Sequence, residues 1–520
     1  MSSPIGGQLK KDTLGVPSVV FFVMSAAAPL TVVAGVITIG YGAIGVQGLP
    51  FAYILMPAIL AVFAIGYVAM SRHISNAGAF YTYVAHGLGR PLGVGTAWMA
   101  LLAYNALQVG LYGVVGAATA VPLERFFGIT TEWWVIALVV WAVVGILGVL
   151  RVDINGRVLA VLLCAEILIV LVYDFAYLTQ PGPDGVSFTT LNPTTLFGTE
   201  GGLAAVGAVM VLSFLGFVGF EASVVFSEES KNPKRTIAMA TFLSLVIIGG
   251  TYALTSWAMS VATGPDNIVG TVGELFLQGE EVSFIFILAS DRLPALFVDI
   301  GSVLFATSVL AASISFHNTV ARYTFALGRE RVLPIALGKT GRRSGAPIGA
   351  SILQSLIGLA VIVVFLVFNL DPVFHLFYYG GNSGGLGVMM MVTLTSVAIL
   401  MFFAKNHRGE SLLARVIAPV ISIVLLGFVL YFAVEGFHNL ISPPPLDGIP
   451  EGWFSAAETA GWVIPAIYPT VFVLGILYGL ILKSTRPEVY QSIGLGANSS
   501  TGIAVQSKVD AEPAGVPSHR

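Results

Sequence analysis

Drawn as membrane spans, the long apolar runs of this chain sort its basic residues almost completely. Of 24 Lys and Arg, only Arg125 and Arg292 fall on one face, and the rest fall on the other. Loops rich in Lys and Arg stay on the cytoplasmic side, so the asymmetry sets topology and span count together. A single missing span would invert every later loop and scramble the separation. The sorting therefore calls for a polytopic helical chain with an even number of spans and both ends inside.

Composition leads to the same class. With 56% hydrophobic residues, 10% charged residues and a mean hydropathy of +0.90, the chain is far from a soluble globule, where about 25% of residues are charged. The net charge of -3 and the spread of basic residues over membrane-flanking loops argue against a nucleic-acid partner. The single cysteine, Cys164, lies inside an apolar run, which excludes a disulfide framework or a thiol metal site. Lys10 and Lys11 precede an apolar run too long for a signal core, so that run reads as a permanent span.

Twelve runs are long enough to cross a hydrocarbon core about 30 Å thick. They lie near 17–41, 50–70, 92–120, 133–150, 158–178, 203–226, 237–262, 296–327, 348–368, 373–403, 416–437 and 462–482. The loops at 121–132, 179–202, 263–295, 369–372 and 438–461 hold Glu124, Asp184, Glu274, Glu280, Glu281, Asp371, Asp447 and Glu451, and are the outer loops. The longest, 263–295, has a mixed stretch around 273–290 suited to a surface or re-entrant helix. Residues 1–16 read as a cytoplasmic tail and 17–482 as one membrane domain. Residues 483–520, rich in Ser, Gly, Ala and Pro, read as a disordered cytoplasmic tail.

Most of the 59 glycines suit close helix packing in lipid. Two clusters stand apart. Ser25-Ala26-Ala27-Ala28-Pro29-Leu30-Thr31 puts a proline in the middle of span 1, where it removes a hydrogen bond and displaces a carbonyl. Ser213-Phe214-Leu215-Gly216-Phe217-Val218-Gly219-Phe220-Glu221 joins two glycines to an acid at membrane depth in span 6. A unit of five spans, being odd, re-enters the membrane inverted. An inverted repeat of spans 1–5 (17–178) and 6–10 (203–403), with two extra helices at 416–482, brings both breaks to the midplane. There, half-helix N-termini suit an anion and free carbonyls a cation. An amino acid carries both charges. The plainer reading is that Pro29 kinks a helix and the glycines pack; the matched placement favours the repeat.

Three further segments carry a family likeness. Gly219-Phe220-Glu221 is followed by Ser227-Glu228-Glu229-Ser230-Lys231-Asn232-Pro233-Lys234-Arg235-Thr236-Ile237. Ala321-Arg322-Tyr323-Thr324-Phe325-Ala326-Leu327-Gly328-Arg329-Glu330-Arg331-Val332-Leu333-Pro334 precedes Gly345-Ala346-Pro347. Asn76-Ala77-Gly78-Ala79-Phe80-Tyr81-Thr82-Tyr83-Val84 lies between spans 2 and 3. Taken in this order, the chain resembles the amino acid–polyamine–organocation permeases from span 1 to span 10. The resemblance implies an all-α secondary transporter with discontinuous helices 1 and 6. Its substrate would be held at Ala27, Ala28, Pro29 and Thr31 of one break and Phe214, Gly216, Phe217 and Gly219 of the other. Many relatives have a glycine-rich first break; here Ala26-Ala27-Ala28-Pro29 narrows the approach to the backbone.

Glu166 stands among Leu162, Leu163, Cys164, Ala165, Ile167 and Leu168 of span 5. Ionising a carboxyl in such surroundings is costly, which suits it to proton exchange. In proton-coupled relatives a lysine often holds what resembles this position, counted from the basic residue represented by Arg157; here it is an acid. Glu166 is thus the candidate coupling site, facing Ser313 and Ser315 of span 8, the alternative being a permanently protonated packing group. Asn105 and Gln108 of span 3 are candidates for the substrate cavity or for interhelical bonds. Tyr378, beside Tyr379 and Asn382 of span 10, is a candidate gate or belt residue. Glu221 is expected to order the broken helix, and His317 and Asn318 to be structural, since no second His or Cys stands at ligand spacing. No enzyme constellation or phosphate-binding loop is present, so no cofactor is expected and an ion gradient is the expected drive. The reading is a plasma-membrane permease importing an amino acid or related amine with a proton. The alternatives are a polyamine importer, an exchanger, or a substrate-gated channel or sensor on the same fold.

Overall fold

With no water in the bilayer to satisfy N–H and C=O groups, each crossing segment must close its own hydrogen bonds, and a helix does so. A computed structural model describes residues 15–74, 78–150, 152–199, 201–228, 230–341, 344–442 and 451–495, and the described chain is helical with no sheet. Asn76, Ala77, Glu229, Asp447 and most of both expected tails lie outside the described residues, as does the side chain of Arg157.

Eleven helices among the described residues are long and apolar enough to cross a membrane. They are Val16–Gly42, Leu49–Ser71, Arg90–Phe127, Ala160–Thr179, Gly202–Val224, Lys234–Thr263, Ala295–Arg329, Ile348–Val367, Pro372–Lys405, Leu413–Glu435 and Ala457–Thr485. They occupy the positions of spans 1–3 and 5–12. The remaining run forms Trp133–Val149, a shorter apolar helix of 17 residues; at about 1.5 Å per residue it rises about 25 Å.

Hydroxyls within the spans turn back on their own helices. Thr96 donates to Leu92 O (2.9 Å) and Thr241 to Ile237 O (2.8 Å), which satisfies them without help from lipid. Small residues bring spans 3 and 10 into near contact: a methyl at Gly384 would lie 2.8 Å from Ala103 O, and one at Gly380 2.9 Å from Ala106 O.

The two bases on the sparsely charged face have structural partners. Arg125 pairs with Asp299. Arg292 donates to Gln180 O (2.8 Å) and Ala262 O (2.8 Å), closing the carbonyl ends of spans 5 and 7. They tie down helix ends, which accounts for their departure from the sorting.

One expectation of order is filled in and two change. The long loop holds two helices, Ile268–Gln278 and Phe284–Ser290, joined by a 3₁₀ turn at Glu281–Ser283. The segment before span 3 contains a helix, Ala79–Gly87, that the spans left as loop. The chain after 483 is ordered as far as Leu495, because Val489 and Ile493 bury apolar side chains on the basic face. Buried Glu330 joins the last two of these pieces: it accepts from Tyr81 Oη (3.1 Å) and Gly494 N (3.1 Å), and Ser492 Oγ donates to its carbonyl (2.9 Å).

Candidate functional site

Span 1 breaks at one residue. Its first helix, Val16–Ala27, ends at Ala28, whose φ of 42° and ψ of 72° are left-handed, and Pro29 begins the next turn without an N–H. A left-handed alanine costs about 1–2 kcal/mol, so the surroundings must hold it. Tyr252 Oη of span 7 donates to Ala27 O (3.0 Å). Thr31 N (3.3 Å) and Thr31 Oγ1 (3.0 Å) both donate to Ser308 Oγ of span 8. Beyond the break the helix widens into a π turn over Val32–Val36.

Span 6 breaks through tight turns. Helix Gly202–Leu215 gives way to i→i−3 bonds from Gly216 N to Ser213 O (3.1 Å) and Phe217 N to Phe214 O (2.9 Å). Gly219 then takes φ 113°, and a 3₁₀ segment runs over Phe220–Glu228. Glu221 orders this end: its carboxyl accepts from Gly219 N (2.9 Å) and from Tyr104 Oη, and Tyr67 Oη donates to its carbonyl (3.1 Å).

The breaks pack on each other. A Cβ at Gly219 would lie 2.6 Å from Ala26 Cβ, and one at Gly216 3.2 Å from Val32 Cγ1. Phe217 is in turn packed by Tyr53 of span 2 and Tyr252, with ring centroids 6.4 and 6.0 Å away. Ala27, Ala28, Pro29, Thr31, Phe214, Gly216, Phe217 and Gly219 thus fall in one region.

Glu166 joins that region from span 5. It is buried, and its carboxyl faces the Ser308 hydroxyl and the Leu30 amide, one of the donors freed by Pro29. Because Ser308 accepts both bonds from Thr31, its own proton is free for Glu166. Glu166 Oε2 and Tyr53 Oη have no hydrogen-bond partner.

Other expected members go elsewhere. Ser313 donates to Val309 O of its own helix (2.8 Å), and the half-buried Ser315 carbonyl takes Thr319 Oγ1 (3.0 Å). The serine beside Glu166 is Ser308, because the axial register between two helices is set by packing and not by counting along one of them. Gln108 is occupied at both ends, donating to Tyr112 Oη (2.8 Å) and accepting from Gln354 Nε2 of span 9 (2.7 Å). Half-buried Asn105 turns its amide onto Leu101 O (2.7 Å). Gln108→Leu should therefore lower thermal stability by about 1 kcal/mol with substrate affinity unchanged. A rise in KM at constant melting temperature would return Gln108 to the cavity.

Tyr378 sits at the other face. It stacks on Phe276 at 5.5 Å and donates to Glu281 Oε1 (2.9 Å), fastening the loop helices to span 10. Burial pushes the Glu281 carboxyl up to about 7; Asp371 and Glu280 add repulsion, while its own amide and Tyr378 oppose the rise. A free glutamate ionises near about 4.3, so docking is fully supported in acid and weakens as pH climbs through about 7. Hydrogen exchange across 268–290 should accelerate over that climb, and Glu281→Gln should flatten the response. An equal acceleration in the variant would detach the effect from Glu281.

Sequence reasoning missed Ser308, Tyr252, Tyr104 and Tyr67. Their signal was present: polar side chains in spans have to find partners. Which partner each finds is a tertiary matter.

Two interrupted helices packed at their breaks, in an all-helical bundle of apolar spans, define a membrane transporter fold. Structural comparison agrees: the crystal structure of a mutant Eremococcus coleocola manganese transporter matches with a TM-score of 0.55 at 14% identity, covering 91% of this chain and 97% of that one. A family model described as amino acid permease matches residues 14–464, and the chain belongs to that family. Among curated relatives, the methylthioribose transporter of Bacillus subtilis (strain 168) is 24% identical over 400 residues, 73% of this chain and 79% of its own length. The low-affinity putrescine importer PlaP of Escherichia coli (strain K12) is 25% identical over 311 residues, 55% of this chain and 60% of its own length.

Proposed function

We propose that this permease imports an amino acid or related amine across the plasma membrane with a proton, its basic face and both termini in the cytoplasm. In this reading Trp133–Val149 crosses as span 4 and completes twelve, 17–178 and 203–403 are inverted repeats, and 416–482 adds two helices. The observation that carries the coupling is Glu166 beside the Leu30 amide of the first break.

The coupling follows from competition for donors. An ionised Glu166 occupies Leu30 N–H and the Ser308 hydroxyl, the groups a half-helix N-terminus would offer to a substrate carboxylate. It also repels that carboxylate. Protonation removes the charge and releases the donors, so proton and anionic group bind together. Glu221 is already held by Gly219 N and Tyr104, which leaves Glu166 as the free acid at the breaks. One acid suits a zwitterion better than a dication, which disfavours the polyamine reading despite the putrescine importer among the relatives.

A thermal-shift screen of amino acids and amines tests the substrate class, since a ligand held at about 100 Kd stabilises the folded state by about 2.7 kcal/mol. Hits should be zwitterions, and in liposomes they should accumulate against their gradient when the outside is acidified. Stabilisation by diamines alone would favour the polyamine importer. Uptake that requires internal substrate would favour an exchanger, and downhill flux alone a channel.

A further inference from the structure

Span 5 carries a second buried carboxyl that the coupling scheme leaves unused. Asp174 is 1% exposed; its Oδ2 accepts from Thr255 Oγ1 of span 7 (2.8 Å), and its Oδ1 has no partner. A buried acid with a bare oxygen is uncommon in a folded chain and calls for an explanation. Structural fastening accounts for one oxygen only.

Its position supplies the explanation. Asp174 lies eight residues beyond Glu166 on the buried side of span 5, about 12 Å further along the axis, and five residues before the helix ends at Thr179 on the sparsely charged face. Span 7 runs alongside both acids and carries hydroxyl-bearing residues there. Thr255 bonds Asp174, and Tyr252, one turn earlier on span 7, stands within electrostatic range of Glu166 while its hydroxyl donates to Ala27 O. Each acid thus has a hydroxyl-bearing residue of the same neighbouring helix near it.

The groups facing Asp174 are few. On its own helix these are Tyr173 and Tyr177; Tyr177 donates to Ile285 O, and Asp299 of span 8 acts on Tyr173. Span 7 brings Tyr252 and Thr255. Arg292 closes the end of the helix, its charge over the Tyr177 ring at 5.9 Å and its donors on backbone carbonyls. Helices Val16–Ala27 and Phe284–Ser290, which also pack here, contain no titratable side chain. Among the described residues no cation is paired with Asp174 to hold it permanently ionised.

We propose that Asp174 is a proton-loading residue, taking a proton from the sparsely charged face and passing it along the span 5–span 7 seam to Glu166. The inference rests on the reading of Glu166 as the coupling group. In each cycle Asp174 gives its proton to ionised Glu166 and regains one from water, so charge and protons balance.

Infrared difference spectroscopy of the purified full chain, with a pH jump as the only stimulus, tests this without a known substrate. Among the titrating carbonyl bands of buried carboxylic acids, wild-type protein should show one removed by Asp174→Asn and another removed by Glu166→Gln. Asp174→Asn should also slow the rise of the Glu166 band about a hundredfold, and Asp174→Glu should restore it. An unchanged rate in Asp174→Asn, or the lack of a titrating Asp174 band, overturns the proposal. Loss of the Glu166 band from wild-type spectra overturns the coupling reading instead, and with it the destination of the proton. Thr255→Val guards against misfolding: it keeps the carboxyl and removes its bonded hydroxyl, and should shift the Asp174 band, whereas an unmoved band counts against the seam.

Discussion

Replacing Glu166 with Gln is expected to abolish proton-driven accumulation while leaving counterflow intact. Glutamine keeps the shape and fills the same space, and its carbonyl can still accept a bond from the Ser308 hydroxyl or the Leu30 amide that it faces. It cannot exchange a proton. With one proton per substrate, each pH unit across the membrane supplies about 1.4 kcal/mol, about tenfold accumulation. Wild-type liposomes under a one-unit gradient should approach that ratio, and the variant should stay near equal concentrations inside and out. Counterflow moves substrate in exchange for substrate with no net proton movement, so it should persist. Undiminished uphill uptake by Glu166→Gln at every pH would remove this carboxyl from the mechanism.

Gly219→Ala is expected to damage both stability and ligand binding. Two independent effects add at this position. The backbone holds φ 113°, a conformation L side chains rarely adopt, and the new Cβ would lie 2.6 Å from Ala26 Cβ. Strain at such a φ costs about 1–3 kcal/mol, and forced overpacking costs a similar amount. Relief would push the two breaks apart, shift Gly219 N from Glu221, and distort the region where substrate is proposed to bind. Thermal melting should fall by several degrees and ligand stabilisation should vanish with it. Gly250→Ala on span 7, where a methyl meets nothing within 4 Å, is the control; it should be neutral or stabilise by up to about 1 kcal/mol. Equal melting temperatures for the two variants would show that the breaks have room to spare.

Much of the bundle was legible because lipid enforces simple rules. Apolar length located the spans, and Lys and Arg placement gave them a common sense, with Arg125 and Arg292 as the exceptions that the structure explains through Asp299 and two helix ends. Pro29 and the Gly216–Gly219 pair were visible as weak points, since each removes or frees backbone hydrogen bonds where lipid offers no substitute. The short helix Ala79–Gly87 and the ordered stretch to Leu495 were not, because their apolar content is modest and is buried only once spans 3 and 10 cover the one and the last span and Ala79–Gly87 cover the other. Gln108 looked like a cavity residue for a related reason: a buried amide must be bonded, and nothing local reveals that Gln354, in span 9, bonds it.

The sequence by itself determined that this chain is an all-helical membrane permease and where its helices weaken, because hydrophobic length, basic asymmetry and helix-breaking residues act locally. Tertiary structure alone decided that Glu166 meets Ser308 and not Ser313, that Glu221 is spent on Gly219 and Tyr104, and that Ala26 closes over Gly219. Those pairings depend on the rotation and axial register of one helix against another. Both are fixed by the sum of many small packing contacts, and no single stretch of sequence encodes that sum.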